Sequence, residues 1–183
     1  MIRRVRIRGY KSLRDVDLEL APLTVIFGPN AAGKSNLHDA LALMSRLATT
    51  KTLSDAFDPK VHRGTSLEAF SYGPGGLEEL IKTERAELTI EADIQLSQPV
   101  IDLVETRISQ LQEGLTNVKP RNHVTEHFLR YRVTVEVVPA TGVLRVRDEY
   151  LVPLRRDGTP SGSRPAFIER SQDERLHLRM EGQ

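Results

Sequence analysis

The sequence predicts an α/β fold that carries an antiparallel β-rich lobe. Two observations lead to this class. A short apolar run, Leu23–Phe27, is followed by a glycine-rich loop and then by apolar residues at helical spacing. From about residue 86 onward, apolar and polar residues alternate with a period of two, which is typical of antiparallel strands with one face in water.

The chain begins with an alternating pattern that predicts a hairpin. Arginines alternate with apolar residues in 2–9, and acidic residues alternate with valine and leucine in 15–20. One face of the first strand is therefore basic. That face is either solvated or in contact with DNA or phosphate, and the sequence is compatible with both interpretations.

The hairpin leads into the strand and the helix that flank the glycine-rich loop. Leu23–Phe27 is short, apolar and rich in β-branched residues, which is the profile of a strand buried on both faces. Residues 36–48 predict a helix, with Asn36 and Asp39 in its first turn, where capping and anionic groups are favoured. Residues 49–76 lack periodicity, so they are expected to be mainly loop with some helix.

The second half is expected to consist mainly of antiparallel strands, which is not how a simple doubly wound sheet continues. The first expected elements are a strand at 88–94, a helix from Pro99 that stops at Gly114, and a polar loop at about 116–126. Strands at 129–137 and 144–152 follow, joined by a turn at 139–142. The chain then continues with an irregular stretch at 155–165 and a hairpin of 166–170 with 175–180.

The bulk composition excludes several classes of protein. The chain has 183 residues, a formal net charge of +1 and 39% hydrophobic residues, as expected for a globular protein with one sizeable core. It has no cysteine, which excludes disulfides and thiolate metal sites and fits a reducing compartment. No apolar stretch reaches the roughly 18 residues of a membrane-spanning helix. We therefore expect a cytoplasmic protein without a membrane partner.

The most informative feature is the run Gly28–Ser35, which fits the phosphate-binding (Walker A) pattern G-x-x-x-x-G-K-[ST]. Its glycines let backbone N–H groups approach an anion. Lys34 is expected to reach the β- and γ-phosphates, and the Ser35 hydroxyl is expected to bind Mg²⁺. The helix that follows points its positive end at the same phosphates. The pattern predicts a P-loop NTPase core that binds ATP and Mg²⁺.

Two segments around this loop carry a family resemblance. Ile7–Leu13 contains the turn Tyr-Lys-Ser, and Val25–Leu37 contains the phosphate-binding loop followed at once by Asn36. Together they resemble the amino-terminal head segment of ABC-type ATPases of the AAA family, in the branch that contains SMC proteins, RecF and the OLD-type defence ATPases. Asn30 and Asn36 are the positions that separate this branch from transporters, kinases and GTPases.

The resemblance implies a nucleotide site. Lys11 and Ser12 match the family's turn, which lies near the nucleotide, and Lys34 is the expected catalytic residue. Ala31 stands where the branch often has glycine, and alanine is expected to fit there only with a negative φ. The residues that we expect to contact the nucleotide are Lys11, Ser12, Gly28, Pro29, Asn30, Ala31, Ala32, Gly33, Lys34, Ser35 and Asn36, with Ser35 as the metal ligand.

The resemblance also implies an organisation and an activity. Residues 1–48 would form the strands, P-loop and first helix of an ABC-ATPase-like head. Residues from about 49 to 85 would form a loop-rich connector, and residues from about 86 to 183 would form the antiparallel lobe. Such heads hydrolyse Mg·ATP between two copies and so control DNA binding or an attached effector. The expected partners are therefore ATP, a second head and DNA, in repair, chromosome organisation or phage defence.

Two motifs of a complete head are missing from the sequence. One is a signature loop that closes on the partner's nucleotide. The other is a Walker B strand ending in Asp-Glu, in which the glutamate positions the attacking water. Asp148 and Glu149 follow a run with arginine at every second position, which predicts an antiparallel strand instead. We therefore expect the amino-terminal segment of a longer ATPase, which alone binds ATP with little turnover.

Two other functions compete with this one. A non-catalytic, nucleotide-responsive module would use its β-lobe to bind a partner or DNA. A small P-loop kinase or GTPase would need an acceptor site or an Asn/Thr-Lys-x-Asp motif, and the sequence has no such motif. The first alternative stays open, and the second is disfavoured.

Several other charged residues have two interpretations each. Arg63, in the run His62–Gly64, is either a solvated loop residue or, by the resemblance, a basic group near a partner's nucleotide or DNA. His123 and His127 are four residues apart without a carboxylate or cysteine to complete a zinc site, so no metal site is predicted there. The arginines that either contact nucleic acid or form a solvated face are Arg155, Arg156 and Arg164.

Overall fold

The computed structural model describes residues 1–112, 124–162, 164–170 and 176–178. Its strands are β1 (Ile2–Tyr10), β2 (Leu13–Glu19), β3 (Ala86–Gln95), β4 (Phe128–Val138), β5 (Val143–Pro153), β6 (Ile168–Arg170) and β7 (Leu176–Leu178). Its helices are α1 (Lys34–Thr49), α2 (Leu53–Ala56), α3 (Gly76–Ile81) and α4 (Gln98–Gln112), with a 3-10 helix at Leu67–Ala69.

The strands form one antiparallel sheet of seven strands in the order β2-β1-β3-β4-β5-β6-β7. The hairpin β1–β2 is therefore continuous with the β-rich second half, because β1 pairs with β3 on its other side. All the strand pairs except β1–β3 join neighbours in the chain, with α4 lying between β3 and β4 in the sequence. The antiparallel strands predicted for the second half are confirmed, and the amino-terminal hairpin is part of the same sheet.

One face of the sheet is apolar, as the period-two patterns predict. Ile7 on β1 lies beside Ile90 on β3, which lies beside Val133 on β4, and Val5 on β1 lies beside Ala92 on β3; all five are almost completely buried. Helix α1 packs on this face through apolar residues at helical spacing, namely Leu37, Ala40, Leu43 and Met44. This packing fixes the position of the residue at which α1 begins, and therefore of the phosphate-binding loop before it.

The other face of the sheet is polar and is held by arginine–carboxylate pairs. Arg4 donates two hydrogen bonds to Asp17, at 2.7 and 2.6 Å, and Arg130 does the same to Asp93, at 2.6 and 2.8 Å. Such two-point pairs fix geometry as well as charge. The basic face predicted for β1 is thus compensated by carboxylates of the neighbouring strands.

The expectation of a buried strand at Leu23–Phe27 is wrong for this structure. The segment forms no strand, and Leu23, Val25 and Phe27 are 83%, 75% and 90% exposed. A strand needs a neighbour with which to share backbone hydrogen bonds. Among the described residues, no strand pairs with this segment, so its apolar side chains have nothing to pack against.

The other predicted elements are confirmed where the structure describes them. Helix α1 extends the predicted 36–48 by a few residues, so Asp39 lies in its second turn rather than its first. The region 49–76 is mainly loop with short helices, and the turn at 139–142 joins β4 to β5. Expectations that lie outside the described residues are the stop at Gly114, most of the loop at 116–126, His123, and the parts of the last hairpin beyond β6 and β7.

Within the described ranges, no helix combines the length and the apolar character that crossing a membrane requires.

Candidate nucleotide-binding site

The phosphate-binding loop lies directly before α1. Gly33 is the residue that caps this helix, with φ 91°, and its carbonyl accepts the first helical hydrogen bond from the Leu37 N–H at 3.0 Å. Lys34 and Ser35 are then the first two residues of α1. The first N–H groups of a helix have no partner within it, so they point at whatever binds in front of the helix.

Ala31 has a positive φ of 65°. The expectation that alanine fits here only with a negative φ is wrong. The left-handed conformation costs an L-residue about 1–2 kcal/mol. The loop still adopts it, and Gly33, two residues later, is also left-handed.

Gly33 cannot be replaced without moving its neighbours. A Cβ atom at this position would lie 3.1 Å from Ser12 Oγ and 3.2 Å from Leu13 Cδ2. The loop therefore packs closely against the turn between β1 and β2. This contact brings Ser12, one of the two expected turn residues, next to the phosphate-binding loop.

The donors of the loop are available for an anion. Among the described residues, no acceptor binds the N–H groups of Asn30, Ala31 and Gly33. The Lys34 ammonium folds back and donates to the carbonyl oxygens of Gly28 and Pro29, at 2.8 and 2.7 Å. Donors of this kind suit a polyphosphate, and a hydroxyl oxygen such as that of Ser35 is of the type that Mg²⁺ favours.

Lys11 reaches the same region from the β1–β2 turn. Its ammonium donates to Asp39 Oδ2 at 2.8 Å and to the Arg63 carbonyl at 2.7 Å. Arg63 donates to the same carboxylate through Nε and Nη2, at 3.0 and 2.7 Å. Burial opposes the charge on Asp39, but these hydrogen bonds outweigh burial and hold the pKa of its carboxyl below the usual value.

The branch-specific residue Asn36 joins this network. Its Nδ2 donates to Ser12 Oγ at 2.8 Å, and its Oδ1 accepts from Arg63 Nη2 at 3.3 Å. The β1–β2 turn, the start of α1 and the loop that carries Arg63 are therefore linked by one set of polar contacts. We call this set, formed by Lys11, Ser12, Asn36, Asp39 and Arg63, the loop-side network.

Asp148 and Glu149 are engaged elsewhere. Both lie on β5, which runs antiparallel to β4. Asp148 pairs with Arg132 at 2.6 Å, and Glu149 accepts from the Tyr131 hydroxyl at 2.8 Å. This confirms the prediction of an antiparallel strand at these residues.

The remaining basic residues and histidines lie away from the loop. Arg155 and Arg156 line an open cleft of about 420 Å³ at the end of the sheet where β1 begins, whereas the loop packs at its other end. Arg164 donates to Thr125 at 2.8 Å, and His127 contacts the Val124 carbonyl. In the part of the chain that the structure describes, no group of three or more metal-binding side chains forms.

The sequence did not indicate Tyr10, Asp39 and His62 as site residues. Asp39 could have been found, because it lies three residues after Asn36 and therefore on the same helix face. Tyr10 was assigned only to a turn motif, and His62 lies in a stretch without periodicity. No local pattern predicts that these two side chains meet.

Comparison with known proteins identifies the family of the matched part of the chain. A family model described as an AAA ATPase domain matches residues 1–110, which is more than half of the chain. The chain is 43% identical over 44 residues to an OLD nuclease of Thermus scotoductus. It is 35% identical over 68 residues to the DNA replication and repair protein RecF of Corynebacterium jeikeium, and 38% identical over 55 residues to RecF of Gloeobacter violaceus.

These matches cover small parts of the relatives. The match to the OLD nuclease covers 24% of this chain and 8% of the nuclease. The match to RecF of Corynebacterium jeikeium covers 37% of this chain and 16% of that RecF, and the match to RecF of Gloeobacter violaceus covers 30% of this chain and 15% of that RecF. The chain thus corresponds to a small share of each curated relative. The chain belongs to the AAA ATPase domain family, and its matched part is similar to OLD nuclease and RecF proteins.

Proposed function

We propose that this chain is the ATP-holding part of an SMC/RecF/OLD-like ATPase, which binds Mg·ATP through Gly28–Ser35. The observation that carries the proposal is the loop itself, which combines the Walker A pattern with unbonded N–H groups and a lysine at the start of a packed helix. Membership of the AAA ATPase domain family supports it.

Each residue of the loop has a specific task in this proposal. Lys34 exchanges its hydrogen bonds with the carbonyls of Gly28 and Pro29 for bonds to the β- and γ-phosphates. The N–H groups of the loop and of the first turn of α1 bind the phosphate oxygens. Ser35 holds the metal, and bound Mg²⁺ would supply charge neutralisation between phosphates.

We further propose that ATP hydrolysis needs catalytic groups that the described residues of this chain do not supply. Asp148 and Glu149, the one Asp-Glu pair considered for Walker B, are bound to Arg132 and Tyr131 on an antiparallel strand. The exposed segment Leu23–Phe27 supports the same idea, since an apolar stretch with unpaired backbone groups is ready for strand pairing. Further strands of the same ATPase head would cover it, and two heads would enclose the nucleotide.

The proposal is tested by titrating the purified protein with a fluorescent Mg·ATP analogue. Lys34→Ala is expected to weaken binding by about tenfold or more, because a charge-assisted hydrogen bond contributes about 1.5–3 kcal/mol. Lys82→Ala, which removes an exposed lysine after α3, is the matched control and should bind like the wild type. Equal affinities of Lys34→Ala and wild type would contradict the proposal.

The alternative is a non-catalytic module whose nucleotide state controls binding to DNA or to a partner. The printed names of the RecF relatives mention DNA replication and repair, which supports DNA as a partner of either version. Gel shifts with and without ATP, together with crosslinking of nucleotide-dependent dimers, separate the two. ATP-dependent dimers favour the ATPase head, whereas DNA binding that follows ATP without dimers favours the module.

A further inference from the structure

We propose that Tyr10 and His62 are positioning residues of the nucleotide site, whose buried hydrogen bond holds Lys11 and Arg63 beside the phosphate-binding loop. The inference rests on the function proposed above. It adds two residues that neither the Walker A pattern nor the comparisons indicate.

The two side chains form a closed polar pair inside the apolar core. Tyr10 is 0% and His62 1% exposed, and the Tyr10 hydroxyl lies 3.1 Å from His62 Nε2. His62 Nδ1 lies 3.3 Å from the Gly64 carbonyl oxygen, which can only accept. Nδ1 therefore carries the proton, and Nε2 accepts from the Tyr10 hydroxyl. The imidazole is held as one neutral tautomer.

Aromatic packing fixes the orientation of the imidazole ring. The ring of Phe57 lies 5.6 Å from that of His62, and the ring of Tyr10 meets His62 edge-on at 6.2 Å. Phe70 stacks on the far side of Phe57 at 6.5 Å. A buried side chain with both ring nitrogens bonded has little freedom to rotate, so it can fix the backbone on either side of it.

Each member of the pair is followed in the chain by a cation of the loop-side network. Lys11 comes after Tyr10, and Arg63 comes after His62. Both cations converge on Asp39 Oδ2, at 2.8 and 2.7 Å. Fixing the two aromatic residues against each other thus fixes the distance between the two backbone segments from which these cations extend.

Lys11 needs this support because its backbone is strained. Its φ is 46°, in the left-handed region that costs a non-glycine residue about 1–2 kcal/mol. Its N–H donates to the Ala69 carbonyl at 2.9 Å, and its carbonyl accepts from Ser71 Oγ at 2.6 Å. The turn is therefore held to residues 62–71 on both sides of the strained position, and the Tyr10–His62 bond is the buried part of that attachment.

The arrangement depends on His62 remaining neutral. Burial is the main cause that lowers the pKa of His62, and the Gly64 carbonyl opposes it. The other charged or titratable groups that face the ring are Tyr10 on β1, Lys11 in the β1–β2 turn, Asp39 and Arg46 on α1, and Glu68 in the 3-10 helix.

The sign of the pH dependence follows from this lowered value. In the unfolded chain His62 titrates near the ordinary histidine pKa of about 6.5, and in the folded chain it titrates lower. The unfolded state therefore binds more protons between the two values, so the folded arrangement is fully favoured above pH of about 6.5 and loses stability as the pH falls below it.

The test compares three variants by titration with the fluorescent Mg·ATP analogue between pH 5.5 and 8. Tyr10→Phe keeps the ring and removes the hydroxyl, and it should bind about fivefold more weakly at pH 7.5, as expected for one lost hydrogen bond. His62→Gln retains an acceptor that does not titrate, so it should bind within about twofold of wild type and lose the weakening that wild type shows as the pH falls toward the lowered pKa of His62. His127→Gln, at an exposed histidine away from the loop, should behave as wild type at every pH.

Amide hydrogen exchange without nucleotide shows whether an effect is local. In Tyr10→Phe, exchange should accelerate at the N–H groups of Lys11 and Ser71, which bond to Ala69 and Gly9, while amides of β4 and β5 stay protected. Acceleration throughout β4 and β5 would mean that the variant has lost the fold, and the pH profile of His62→Gln then decides.

Wild-type affinity in Tyr10→Phe, or an unchanged pH profile in His62→Gln, would overturn the inference while the ATP-binding proposal stands. Equal binding by wild type and Lys34→Ala would instead overturn the proposed function, and the inference with it.

Discussion

Asp39 is the residue on which the cations beside the phosphate-binding loop converge. Lys11, with 12% of its side chain exposed, is enclosed by this contact, whereas Arg63, with 61% exposed, stays accessible to solvent. The carboxylate thus holds both cations in place while neutralising part of their charge. In the proposed function, a polyphosphate at the loop would compete with Asp39 for the exposed cation, Arg63, more readily than for Lys11.

Ala31 offers a prediction at the same scale. Ala31→Gly removes the cost of a left-handed alanine and adds back some entropy of the unfolded chain. The net effect should raise the free energy of unfolding by about 0.5–1 kcal/mol and leave Mg·ATP affinity unchanged, provided that the bound loop keeps this conformation, because the strain is then relieved equally in the free and the bound protein. Urea unfolding and nucleotide titration measure the two quantities.

Ala32→Gly is the matched control for that change. Ala32 is not among the described residues with a positive φ, so glycine there gains nothing in the folded state and adds freedom to the unfolded one. The control should be equal to or less stable than wild type. An Ala31→Gly variant that is no more stable than Ala32→Gly would contradict the strain at Ala31.

At the scale of elements, the sequence predicted most strands and helices because their patterns are local. Alternation at 129–137 and 144–152 was enough to predict β4 and β5, and helical spacing was enough for α1. The pairing of β1 with β3 was not predictable, since it joins strands separated by α1 and the long connector. Leu23–Phe27 shows a further limit, because an apolar pattern indicates a tendency to be buried but not which strand will cover it.

Only some residues of the candidate site could likewise be predicted from local sequence patterns. The Walker A residues follow from one contiguous motif, so they could be predicted one by one. The loop-side network depends on contacts between distant parts of the chain, such as Lys11 with Asp39 and Arg63 with Asn36. The role of Asp39 as the central acceptor of this network, and the buried contact between Tyr10 and His62, are known only from the three-dimensional structure.

The polar face of the sheet leads to a prediction about acid stability. Glu136 on β4 is completely buried and is bonded by Arg145 at 2.7 Å, Arg147 at 3.0 Å and Arg85 at 3.4 Å. Burial would raise the pKa of this carboxyl, but the hydrogen bonds from Arg145 and Arg147 outweigh it and lower the pKa. The folded state then binds fewer protons, so this contribution is present above pH of about 4.5 and is lost as the pH falls through the lower, folded pKa.

Glu136→Gln should therefore reduce the free energy of unfolding at pH 7 by about 1–2 kcal/mol. This loss is smaller than the loss expected for a fully buried ion pair, because the arginines are half-exposed and can be solvated. It should also flatten the loss of stability below pH of about 4.5, measured by urea unfolding across pH. Glu87→Gln, at a partly exposed carboxylate that pairs with Arg147 on the same face, is the control and should cost under about 1 kcal/mol. Equal losses in the two variants would contradict the role of the buried carboxylate.

At the scale of the whole molecule, the sheet supports the proposed nucleotide-binding loop at one end. The apolar face fixes α1, α1 fixes the loop, and the β1–β2 turn closes against Gly33. Among the described residues, the charges of the polar face are largely compensated by ion pairs. The proposed function therefore depends on the loop, and the exposed Leu23–Phe27 beside it is where further strands of the proposed head would join.

The central claim is that Mg·ATP binds at the loop, and the most direct measurement is an NMR titration of the ¹⁵N-labelled protein. Amide resonances of residues 30–36 should shift with Mg·ATP, because this segment forms the proposed phosphate site, and smaller shifts should follow at Lys11 and Ser12, which belong to the loop-side network. Amides of β5 should not move. Saturating Mg·ATP that leaves residues 30–36 unshifted, or that shifts only resonances elsewhere, would contradict the account.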